Sequence, residues 1–302
     1  MDRLARDMTR ALPFNASMGL NWSDSHIGLF LPARPPHFGF GVAAGFTTMD
    51  ISPLADLLDI FGTGLSGQLS GFGDFLPFPG GVVEGRLGGL SLHFDLGFKV
   101  GTFAVPFGPF DDADDYFLIG GDIRLRMVEG NEYFLPTISL GVGINRLSGE
   151  MRRTVGNNVW IEYEEGDDTH ILRIEDPNAG IIWSTTALDF KLQASWQGTL
   201  VIPYVGIGLS YGWSRVSSSL TARGGIFSTG DLWFAREALR AEDIDLDLYG
   251  NRFSNTVERA GFSPRLFGGM SFLLPFRLRL DLTGFWNFGD NFGVTAGIRV
   301  QF

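Results

Sequence analysis

Apolar and polar residues change places at every step in five stretches of this chain, and that two-residue period constrains the fold more than any other feature. Successive side chains of an extended strand point to opposite faces, so each stretch has one greasy face and one polar face. At the C-terminus Phe292, Val294, Ala296, Ile298, Val300 and Phe302 alternate with Gly293, Thr295, Gly297, Arg299 and Gln301. Just before it, Phe276, Leu278, Leu280 and Leu282 alternate with Arg277, Arg279, Asp281 and Thr283. Leu90, Leu92, Phe94, Leu96, Phe98 and Val100 oppose Ser91, His93, Asp95, Gly97, Lys99 and Gly101. Leu188, Phe190, Leu192 and Ala194 oppose Asp189, Lys191, Gln193 and Ser195, and Ile119, Ile123, Leu125 and Met127 oppose Asp122, Arg124 and Arg126.

A soluble sandwich alternates too, so the polar faces and the segment lengths have to decide. These faces carry Gly, Ser, Thr and Arg–Asp combinations, the content of a crowded lumen rather than of a solvated sheet. Segments run to roughly ten residues, near the 9–11 that cross a bilayer at a tilt. Aromatics gather toward segment ends, as at Tyr116, Phe117, Tyr133, Phe134, Trp196, Tyr211, Trp213, Trp286 and Phe288, where interfacial girdles are expected. Only 19% of residues are charged, against about 25% in soluble domains, and no apolar run approaches the roughly 20 residues of a spanning helix. The expected fold is all-β: a membrane-spanning antiparallel up-and-down β-barrel of about ten strands, with short periplasmic helices.

Strand candidates fall at 17–31, 37–49, 88–102, 116–129, 134–147, 184–197, 201–217, 263–274, 276–289 and 292–302. Tight turns at 128–132, 197–200 and 274–276 alternate with long connections at 103–115, 148–183 and 218–262, the rhythm of short periplasmic turns and long outer loops. An even strand number places both termini in the periplasm and the barrel in an outer membrane. The first strand needs a break near Ser23–His26, because Met18, Leu20 and Trp22 fall on even positions and Ile27, Leu29 and Leu31 on odd ones. Residues 1–302 form one domain, with 1–14 as an N-terminal helix and 52–87 as a helix and Gly-rich periplasmic insertion. Leu4, Met8, Ala11 and Leu12 have helical spacing, and Ser52 and Pro53 begin the second helix. The N-terminal helix reads as an amphipathic periplasmic element; the alternative is that it folds up into the lumen. The Gly-rich stretch 62–89 packs beneath the barrel or enters its mouth as a plug. No apolar segment follows the charged N-terminus, so no signal peptide is visible and the chain reads as mature.

The last strand, with Val294, Ile298, Val300 and the terminal Phe302, resembles that of outer-membrane barrel proteins, whose final strand ends in an aromatic residue. The resemblance implies that Phe302, Val300 and Ile298 form the signal read by the barrel-assembly machinery. The strand starts Ile202-Pro203-Tyr204-Val205-Gly206 and Leu135-Pro136-Thr137-Ile138 are similar to those following periplasmic turns in small barrels of this kind. The stretch Pro36-His37-Phe38-Gly39-Phe40-Gly41-Val42 is faintly similar to uncharacterised spirochaete outer-membrane proteins.

On the assigned faces the lumen is lined by Lys99, Arg124, Arg126, Lys191, Arg277, Arg279 and Arg299 against Asp95, Asp122, Asp189 and Asp281, while the whole chain carries −11. A basic lumen under acidic loops suits small anionic solutes; equally, so small an interior can be filled by paired charges. The acidic balance argues against nucleic acid, and the absence of Cys removes disulfides and thiolate metal sites. Ten-stranded barrels include the omptin proteases, which use acidic pairs and an Asp-x-His. Asp168-Thr169-His170 and Asp112-Ala113-Asp114 have the residue types for general-base activation of water, but His170 lies in a different loop, so no catalytic residue is assigned. Asp243, Asp245 and Asp247 lack the glycine turn and closing Glu of a calcium loop. His26, His37 and His93 are scattered, and neither a metal nor a cofactor is expected. The expected partners are outer-membrane lipid, the assembly machinery and small anionic solutes. The first functional reading is a narrow channel or transporter for small solutes. The alternatives are a closed barrel displaying acidic surface loops for adhesion or structure, and an omptin-like surface protease.

Overall fold

The computed structural model describes residues 2–24, 27, 36–50, 75–88, 94–103, 115–130, 135–154, 159–165, 168–174, 178–221, 247–249, 252–288 and 291–302. Ten strands make the wall: β1 (His37–Asp50), β2 (Phe75–Gly88), β3 (Phe94–Phe103), β4 (Asp115–Val128), β5 (Thr137–Thr154), β8 (Asn178–Ser195), β9 (Val201–Thr221), β11 (Arg252–Leu273), β12 (Leu278–Asn287) and β13 (Phe292–Gln301). Each pairs antiparallel with the next along the chain, and β1 closes the barrel on β13 from Gly39↔Gln301 to Thr47↔Gly293. A separate hairpin joins β6 (Val159–Glu165) to β7 (Asp168–Ile174), and a short β10 (Asp247–Tyr249) lies on β11. One helix, α1 (Asp2–Asn15), precedes the strands.

The mouth holding Phe302, here the near mouth, has the short connections 89–93, 129–136, 196–200 and 274–277. The strand ends that flank 51–74, 104–114, 155–177, 222–251 and 288–291 are at the far mouth. The wall is uneven in height. Strands β9 and β11 have 21 and 22 residues, whereas β3, β12 and β13 have 10 each, so one side rises well beyond the other at the far mouth.

Consecutive residues of β4 show how the barrel is turned inside out. Ile123 and Leu125 are 54% and 44% exposed on the outside, while Asp122 and Arg124 are 6% and 3% exposed inside. The outward rows of the other strands match, with Phe40 and Val42, Val142 and Ile144, Ile207 and Leu209, and Leu280 and Leu282 all exposed. A continuous apolar band of this kind is unfavourable in water and is the favoured face in hydrocarbon. The barrel therefore spans a membrane. Ile123→Lys, midway along the outward row from Phe117 to Met127, is expected to lower stability by about 2–4 kcal/mol in urea titrations of vesicle-refolded protein. A loss under about 1 kcal/mol would place Ile123 outside the hydrocarbon.

The strand count is ten, but its membership differs from the expectation in two places. Residues 17–24 are not a strand of the wall; Met18, Leu20 and Trp22 are buried inside it. The switch from even to odd apolar positions follows from a segment covered on all sides, with no sheet face to match. Conversely 75–88, most of which falls within the periplasmic insertion expected at 52–87, is strand β2. Pro77, Pro79, Gly80 and Gly81 interrupt its alternation. The exchange also puts the strand ends that flank 51–74 at the far mouth; the expected helix at 52–62 and the first part of the Gly-rich stretch lie outside the described residues.

Helix α1 is not a periplasmic element outside the barrel, because it lies within the lumen. Met8, Ala11, Leu12 and Ala16 pack with Val82, Leu118, Leu147, Trp183 and Val216, which belong mostly to the far halves of their strands. Helix α1 thus sits in the far half, while Phe302 bonds Phe38 at the near mouth through paired main-chain groups of 2.8 and 3.0 Å. Burial explains the placement, since the apolar face of α1 finds its partner surface only inside this wall.

Candidate functional site

The residues that carry chemistry converge where the N-terminal segment descends from α1 toward the near mouth. Above, the contact is apolar, and Phe14 adds a cluster with Tyr204, Phe267 and Phe285. Below Asn15 the chain leaves the helix and turns sharply at Gly19 (φ 80) and Leu20 (φ 57). Gly19 suits both demands of this turn: its φ is left-handed, and an added Cβ would stand 2.9 Å from Val82 Cγ2.

From Ala16 to Asp24 the segment is irregular, neither helix nor strand, and is ringed by polar side chains of the wall. Lys99 Nζ donates to Ala16 O at 2.9 Å and to Met18 O. Glu84 accepts from Leu20 N and from the indole Nε1 of Trp22. Arg86 donates to Leu20 O at 3.0 Å, Tyr204 to Asn21 O at 2.9 Å, and Gln193 to Trp22 O and Ser23 O at 2.9 and 3.0 Å. Two guanidinium groups lie over the Trp22 ring, Arg299 at 4.5 Å and Arg86 at 5.6 Å, a favourable cation–π geometry. Lower still, the Asp24 carboxylate meets Arg279, Arg299 at 3.6 Å and Gln301 at 2.7 Å.

Behind the segment the wall charges bind one another. Asp95 accepts from Arg86 at 2.6 Å and from Arg124 in two-point fashion at 3.0 and 2.8 Å. Arg86 reaches Asp122 at 2.8 Å, and Lys191 lies 3.6 Å from both Asp122 and Asp189. Arg265 holds Asp189 at 2.8 Å and Ser210 at 2.7 Å, and Arg299 holds Asp281 at 2.7 Å. A buried charge is tolerated only when paired and hydrogen-bonded, and this cross-linking provides both.

The lumen thus contains Asp95, Lys99, Asp122, Arg124, Asp189, Lys191, Arg279, Asp281 and Arg299. One expected residue lies outside the lumen and another at its rim. Arg277 belongs to the exposed turn Pro275–Arg277 and its guanidinium lies over the outer Phe302 ring at 5.8 Å, because β12 begins one residue later. Arg126 stands at the near rim beside a register shift and pairs with exposed Glu129 at 3.4 Å. Sequence reasoning missed Glu84, Arg86, Arg265 and Asp24. The Glu84-x-Arg86 spacing held a signal, hidden by the neighbouring Gly and Pro. With these residues in place, seven buried cations face six buried carboxylates among the described residues. The interior is nearly balanced rather than strongly basic.

At the C-terminus Ile298 faces outward, Val300 is half-buried and Phe302 lies exposed at the near mouth. Asp168 and His170 sit opposite Glu165 and Tyr163 in the β6–β7 hairpin. Asp112, Asp114, Asp243 and Asp245 lie outside the described residues, and Asp247 opens β10. Among the described residues no three His, Asp or Glu side chains gather around a common point where a metal could bind.

No protein-family model matches the chain, and no curated protein matches it. Solved structures similar to it include the outer membrane protease OmpT from Escherichia coli, with a TM-score of 0.46 and 9% identity over 89% of this chain and 98% of that one. The translocator domain of the autotransporter NalP from Neisseria meningitidis has a TM-score of 0.41 and 8% identity over 99% and 96%. Ail, the attachment invasion locus protein of Yersinia pestis, has a TM-score of 0.27 and 9% identity over 88% and 99%. The chain's own strand pairing makes it a closed ten-stranded antiparallel barrel, filled by its N-terminal segment.

Proposed function

We propose that the chain is an outer-membrane protein whose barrel is shut at rest and which presents the tall far wall and its connections at the cell surface. The observation that carries this reading is the occupied lumen. From Met8 to Asp24 every residue whose burial is described is buried, save Arg10. The short turns support a periplasmic near mouth and an external far mouth. Phe302, Val300 and Ile298, at the end of the closing strand, suit recognition by the barrel-assembly machinery. A channel for small anions, the other reading of a charged lumen, requires the segment to move first. Purified full-length protein in planar bilayers is expected to give no regular conductance steps. Reproducible single-channel steps from the intact chain would sink the closed-barrel reading.

A further inference from the structure

The manner in which the wall holds the segment points to a receptor. Nine main-chain groups of the segment bond to wall side chains: the carbonyls of Ala16, Met18, Leu20, Asn21, Trp22, Ser23 and Asp24, and the N–H groups of Leu20 and Ile27. The main-chain bonds that residues 16–18 donate are local ones back to α1. The segment is thus read by side chains rather than added to the sheet.

Glu84 and Lys99 make the case sharper. They face each other across the β2–β3 register, carry opposite charges and are both buried. Among the described residues they form no ion pair with each other. Glu84 instead takes the Leu20 N–H and the Trp22 indole, and Lys99 takes two carbonyls. A cross-strand pair diverted onto a third chain segment can neutralise itself when that segment leaves, which provides an empty state without stranded charges. Two side chains of the segment make the most specific contacts: Trp22 with Arg86 and Arg299, and Asp24 with Arg279, Arg299 and Gln301.

We propose that the lumen is a peptide-binding site for a segment that is neither helix nor strand and bears an aromatic residue and, two positions on, a carboxylate. The chain's own residues 16–24 occupy it in cis, and a free peptide of the same chemistry competes for it. This rests on the closed-barrel reading. The test uses the full chain with a protease site inserted within 28–35, folded in micelles and then cut. A fluorescent peptide of residues 8–27 is expected to enter the cut barrel saturably while the barrel keeps its folded gel mobility. Unlabelled wild-type peptide should compete at least about tenfold better than peptides with Trp22→Ala or Asp24→Ala. An uncut chain carrying both substitutions in its own segment should take up wild-type peptide more readily than the uncut wild type. Failure of the cut barrel to take up peptide, or equal competition by the substituted peptides, overturns the proposal, as does equal uptake by the two uncut chains. A conducting intact chain would remove the closed-barrel reading, whereas a silent chain whose cut form binds no peptide removes this inference alone.

Discussion

Asp95→Ala is expected to destabilise the folded barrel by about 3–5 kcal/mol, the usual cost of removing one partner from a buried ion cluster. Asp95 is 0% exposed and gathers Arg86, Arg124 and the Ile27 N–H around one carboxylate. Without it two guanidinium groups lose a shared partner in a place water reaches poorly, and the strands β2, β3 and β4 lose their common tie. Urea titration followed by tryptophan fluorescence measures the loss. Asp95→Asn should fall nearly as far, since it keeps the shape and removes the charge. Arg126→Ala supplies the contrast. Its partner Glu129 is largely exposed at the rim, and pairs of that kind contribute about 0–1 kcal/mol. If Asp95→Ala cost no more than Arg126→Ala, the network would have to be solvated and the packed lumen abandoned.

Asp24→Ala acts on the segment rather than on the wall. It releases Arg279, Arg299 and Gln301 from their shared carboxylate near the lower end of the segment. A penalty of about 3–5 kcal/mol shifts the released population by roughly a hundredfold or more. The expected result is a change from a silent bilayer to intermittent openings. With Asp24 gone, buried cations outnumber buried carboxylates by a wider margin, so the open state should pass anions better than cations. A variant that stays silent, with unchanged stability, would show that Asp24 does not anchor the segment.

These expectations rest on features that were unequally readable from residues alone. Alternation located β3, β4, β12 and β13 because each needs only a local pattern with one face in lipid and one in the lumen. The pairing of short and long connections then gave most of the topology. Strand β2 was missed for a reason that is not local. Its Gly80 sits where an added Cβ would meet Met18 Sδ at 2.6 Å, so the small residue answers to a partner some sixty positions away. On β9, Gly212 likewise faces Pro13. Such a wall is thinned to fit what it encloses, and a window of ten residues shows only a run of glycine. The segment 17–24 had the opposite difficulty. It is apolar and polar on every side because every side is covered, and a reading based on two faces forces it into a strand with a break. Asp24 therefore escaped notice as a site residue, though its role is as large as that of any wall charge.

The position of α1 has a consequence for how the molecule is made. The segment leads into β1, the strand that seals the cylinder against β13, and α1 fills the far half of the bore. A sealed empty cylinder would have to admit a helix past a ring of charges. Wrapping the sheet around a segment already in place avoids that passage, so the last zippering event during insertion should be the meeting of the first and final strands over a filled interior.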